Sequence, residues 1–92
     1  MAQPQVGHLT QTVGTSTVLL FEAPVNEGAV DLVIYNDGGS KLYLGDDSIT
    51  TSGATEGFTL NNGATLNMTV AGGTQIYALS ASSSKVCVLY SV

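Results

Sequence analysis

Ala29-Val30-Asp31-Leu32-Val33-Ile34-Tyr35-Asn36-Asp37-Gly38-Gly39 is the stretch whose reading decides the fold. Val30, Leu32 and Ile34 recur at every second position and so share one face of an extended chain. Val33 and Tyr35 make the opposite face partly apolar, which fits a strand inside a sheet. Asp37-Gly38-Gly39 then supplies backbone freedom at positive φ. The run therefore predicts a tight hairpin, with Lys41-Leu42-Tyr43-Leu44 as the returning partner.

The same grammar extends in both directions. Upstream lie a first strand over about 9–13 and a second over Thr17-Val18-Leu19-Leu20-Phe21, followed by a loop from Pro24 to Gly28. Downstream, Gly45 to Gly57 is polar and glycine-containing, with one short strand expected at Ser48-Ile49-Thr50. Phe58-Thr59-Leu60 is a brief strand before the Asn61-Asn62-Gly63 turn. Ala64, Leu66, Met68 and Val70 then alternate with Thr65, Asn67 and Thr69, which describes a half-buried strand with a wet outer face. Gly72-Gly73 turns the chain into a strand over Gln75 to Leu79. A flexible loop is expected over Ala81 to Ser84. Lys85 to Val92 is the last strand, apolar on both faces, which suits the middle of a sheet or a subunit interface.

Turns this dense leave no room for a helix of ordinary length. The expected fold class is all-β: a small antiparallel β-sandwich of about eight strands, with jelly-roll connectivity as a candidate. Residues 9–92 form its single domain. Residues 1–8, with Gln3, Pro4, Gln5 and Gly7, read as an extended N-terminal arm.

Composition bounds the partners. The chain has 92 residues, a net charge of −5, and Lys41 and Lys85 as its only Lys or Arg. Nucleic acid and anionic membrane are therefore not expected as partners, because both need several cations against phosphate. Only 10% of residues are charged while 43% are hydrophobic, so part of the surface is expected to be covered by another protein. The N-terminus has neither the basic nor the apolar region of a secretory signal, and no run approaches a membrane span.

Candidate chemistry is sparse. His8 stands alone in the arm, and no Gly-x-Ser-x-Gly elbow accompanies it. Asp46-Asp47, with Asp37 and Glu56 nearby in sequence, match no calcium-loop spacing and read as turn formers. The glycines form no phosphate loop. Cys87, the single cysteine, is expected as a buried, inert side chain in the last strand. The four tyrosines fall in strands and divide between core packing, an interface and sugar stacking. The reading is a non-enzyme with no cofactor and no metal.

The succession Tyr35-Asn36-Asp37-Gly38, Leu42 to Gly45, Ile49-Thr50-Thr51-Ser52-Gly53, Phe58 to Leu60, Asn62-Gly63, Leu66 to Val70, Ile76 to Leu79 and Val86 to Tyr90 resembles a pattern of small tailed-bacteriophage virion domains. These are of the head-fibre, tail-associated and capsid-decoration kind. The resemblance covers residues 29–92 in order. The Gly53 to Gly57 loop is longer than in that pattern. It implies a β-sandwich module on a virion, and at this size a capsid decoration (cement) protein. That protein would be made in the host cytoplasm and bound to the outer surface of the major capsid protein. The alternative is a head-fibre or tail-tip module that recognises a host-surface glycan or receptor. A homo-oligomer is expected, a trimer at local three-fold points. The contact residues expected on this basis are Gln3, Pro4, Gln5, Val6 and His8 of the arm, with Tyr90 and Val92 of the last strand.

Overall fold

The computed structural model describes residues 6–91. Among them are eight strands: β1 (Val6–Val13), β2 (Val18–Glu22), β3 (Ala29–Gly39), β4 (Leu42–Gly45), β5 (Phe58–Leu60), β6 (Thr65–Ala71), β7 (Gln75–Ser80) and β8 (Ser84–Ser91). They form two four-stranded sheets, ordered β1-β8-β3-β6 and β2-β7-β4-β5. Every pairing is antiparallel.

The pairs β1·β8, β2·β7, β3·β6 and β4·β5 are nested. The chain thus behaves as one long double-length hairpin rolled up around a core, which is the jelly-roll connectivity. One consequence is that successive strands alternate between sheets. Only β4 and β5 are consecutive neighbours in one sheet, and they are joined by the long segment 46–57, which holds a 3₁₀ turn at Gly53–Thr55.

The expected β3–β4 hairpin is therefore corrected. Gly38 and Gly39 do have positive φ, at 123° and 104°. They serve a corner between sheets, where the register of β3 against β8 shifts between Asn36 and Gly39. The residue types required are the same, since both a hairpin and a corner need glycine's left-handed conformations.

Val13, Leu20, Phe21, Val30, Leu32, Ile34, Leu42, Leu44, Val70, Ile76, Ala78, Val86 and Val88 fill the space between the sheets. One polar group shares it. Asn36 is fully buried, and its Nδ2 donates to the Ser40 and Leu60 carbonyls, each at 2.9 Å. This ties the β3–β4 corner to β5. The Ala81 to Ser84 segment is no free loop. Ser84 is buried as the first residue of β8, and the hydroxyls of Ser40 and Ser80 lie 2.6 Å apart, with Ser84 next in line.

Ser48-Ile49-Thr50 forms no strand; only a single bridge joins Thr50 to Glu56. Ile49 instead closes over Tyr43 and Leu79 on the outer side of the second sheet. The loop thus covers part of that face, while Leu19 on β2 stays exposed. Among the described residues no such cluster lies over the outer face of the first sheet, where Leu89 and Tyr35 are exposed.

Candidate functional site

The make-up of the outer face of the β1-β8-β3-β6 sheet follows from the register. One row across the four strands reads His8, Leu89, Val33, Asn67. The next reads Thr10, Cys87, Tyr35, Thr65. Apolar side chains occupy the two central strands and polar ones the flanks. Leu89 is 51% exposed and Tyr35 37%. A surface apolar strip on central strands, rimmed by polar groups, is the usual anatomy of a protein contact. Charge lies at its margins: Lys85 Nζ meets Asp37 Oδ2 at 3.3 Å, and Asp31 accepts a hydrogen bond from Thr69 Oγ1.

A second apolar feature lies where the sandwich fails to close. β5 has three residues against the seven of β6. Val70 still reaches the core, but Leu66 and Met68 on the inner face of β6 border open space instead of an opposing strand. A cleft of about 450 Å³ opens there, lined by Leu44, Gly45, Phe58, Leu66, Met68 and Ile76. Phe58 stands on its rim and is 60% exposed.

The expected contact residues are dispersed by this arrangement. Gln3, Pro4, Gln5 and Val92 lie outside the described residues. Val6 and His8 belong to no separate arm. β1 starts at Val6, three residues earlier than expected, because β8 runs long enough to pair with it from Ser91 onward. Both side chains nevertheless point to the outer face, on the flank of the apolar strip. Tyr90 points the other way. Its ring packs on Phe21 of the facing sheet, with centroids 4.9 Å apart, so it contributes to closing the core.

Cys87 is half-buried and faces outward, where Thr10 Oγ1 lies 3.8 Å from its sulfur. The expectation of full burial fails because β8 is central in its sheet while only one of its two faces meets the core. Sequence reasoning missed Leu89, Val33 and Tyr35 as a surface strip. Their apolar character was visible, but the open face was not.

Among the described residues no group of three or more His, Cys, Asp or Glu is placed to hold a metal ion. Asp46 shapes its own turn. Its Oδ1 accepts hydrogen bonds from Ser48 Oγ at 2.7 Å and Ser48 N at 2.9 Å, and these, led by the hydroxyl, hold its carboxyl below the usual range.

No family model and no curated protein sequence matches the chain. A solved structure from work titled "Bacillus endospore appendages form a novel family of disulfide-linked pili" has a similar fold. Its TM-score is 0.59 at 12% sequence identity, over 97% of this chain and 85% of that one.

Proposed function

We propose that this protein is a structural subunit of a virion, a decoration protein that docks on the outer surface of an assembled major capsid protein through the open face of its first sheet. The observation that carries the proposal is that face: Leu89, Val33, Tyr35 and Cys87 form one continuous apolar strip on the two central strands, with Leu89 and Tyr35 exposed among the described residues. Fully burying an exposed large apolar side chain contributes about 1.5–3 kcal/mol; these part-buried residues each contribute less, and repetition over many copies supplies the rest. Of the charges at the strip's margins, Lys85 and Asp37 already pair with each other, which lowers the desolvation cost of close approach to a shell. The resemblance over residues 29–92 supports the phage setting. The fold neighbour, whose title describes pili, supports use of this architecture in a repetitive protein assembly. On a shell the copies would gather as trimers at local three-fold points.

The test uses heads of the encoding phage prepared without this chain. Purified protein should bind them in hundreds of copies, including on tail-less heads. Leu89→Asp should weaken binding at least tenfold without changing the melting temperature. Failure of the wild type to bind heads would end the decoration reading. Binding in a few copies at the tail would favour the receptor module.

A further inference from the structure

We infer that the β6 edge and the adjoining apolar cleft form a self-complementary surface, through which two copies of this chain pair antiparallel about a two-fold axis. The inference concerns the free chain in solution and is independent of the capsid reading, in which the copies gather as trimers on the shell.

The first ground is the edge itself. β6 (Thr65-Leu66-Asn67-Met68-Thr69-Val70-Ala71) is the outer strand of its sheet and pairs with β3 through seven consecutive residues without a bulge. It contains no charge and no proline. Soluble β-proteins blunt such edges with charges, prolines or bulges, because an edge of this kind is a template for another strand. The Asn36 amide donates to the Ala64 carbonyl, which fixes the alternation along the ladder. Leu66, Met68 and Val70 therefore spend their backbone groups on β3. Thr65, Asn67 and Thr69 turn theirs to the free edge.

The second ground is the cleft beside it. Leu66 and Met68 face inward into the gap that the short β5 leaves open. An antiparallel pairing about an axis perpendicular to the sheet keeps both inner faces on the same side. The two clefts then merge, and Phe58 of each copy, now on the rim, reaches the cleft of the other. Knob and hole lie on one patch, which is the condition for an isologous contact. β1, the other edge of this sheet, lacks the hole, since its Val13 is buried and its Leu9 packs on the core.

The third ground is charge. Each copy carries −5, so copies repel on average. β5 and β6 contain no ionisable side chain and give two acidic molecules a neutral place to meet. A heterologous partner would have no need of the knob beside the hole.

Analytical ultracentrifugation of the full chain tests this. The wild type should sediment as a dimer at about 100 µM, within the range of a modest apolar interface. Phe58→Asp charges the knob on an already exposed side chain. Asn67→Pro removes an edge-facing amide without breaking a bond to β3. Each should give a monomer whose circular dichroism and melting temperature match those of wild-type protein diluted to the monomer. A wild type that stays monomeric overturns the inference, as does a monomer whose cleft binds an apolar dye. So does a trimer or open polymer, or a dimer that survives both substitutions. Head binding by the monomeric variants reports separately on the capsid reading.

Discussion

Tyr90 lies across Gly7. The two residues are register partners in β8 and β1, and a methyl group on Gly7 would fall on the Tyr90 ring. Glycine at this position lets the ring fold inward over the strand and stack on Phe21 at a 52° tilt. This contact links the N-terminal strand of one sheet to the other sheet. Gly7→Ala should therefore destabilise the protein by about 1–2 kcal/mol, since the ring must leave its rotamer or its partner. Urea unfolding of Gly7→Ala, Tyr90→Leu and the double variant checks it. The two losses should be less than additive.

Gly39 faces a harder constraint. Its φ is 104°, and a Cβ there would run into the Ser83 carbonyl, which is backbone and cannot rotate away. Gly39→Ala should cost about 2 kcal/mol or more, combining left-handed strain with displacement of the β8 entry. Gly53→Ala is the control. It also has positive φ, but open space surrounds it, so its cost should stay near 1 kcal/mol. Thermal melts of both variants separate the two contributions.

Asn36→Asp should be strongly pH-dependent. The substitution replaces the Nδ2 donor to two carbonyls with an acceptor, in a site with no exposure. A buried carboxylate there would have its folded pKa raised. Stability is then greatest below the unfolded pKa and is lost as pH rises through the folded one. At pH 7 the variant should be less stable than wild type by about 3 kcal/mol or more, recovering in part towards pH 4. Denaturation at several pH values reads the slope directly.

Asp46 has the opposite sign. Its folded pKa is lowered by the Ser48 hydroxyl first and the Ser48 amide second. The turn's contribution is present above the unfolded pKa and is lost as pH falls through the lower folded one. Carboxyl-detected NMR should place the Asp46 midpoint below that of an unstructured aspartate. Ser48→Ala should raise it.

Much of this architecture is legible from residue order. Period two in 29–36 and 64–70 marks strands with one buried face, because side chains alternate across an extended backbone. Glycines at 38, 39, 63 and 73 mark the sharp reversals, because only glycine enters left-handed conformations without strain. The all-β class, the strand count and the central place of the last strand follow from these local rules.

Local rules do not say which sheet receives the next strand. Asp37-Gly38-Gly39 would serve a hairpin or a sheet-to-sheet corner equally well. The jelly-roll winding chooses the corner, since burying the inner faces of β3 and β4 requires them to oppose each other across the core. The open faces are tertiary facts for the same reason. Leu89 and Val86 look alike in sequence, yet Val86 is fully buried and Leu89 is half in solvent. Strand parity, and which face of the sheet meets the core, decide between them. The cleft beside β6 exists because β5 is short and lies in the opposite sheet, a juxtaposition set by contacts between residues distant in the chain.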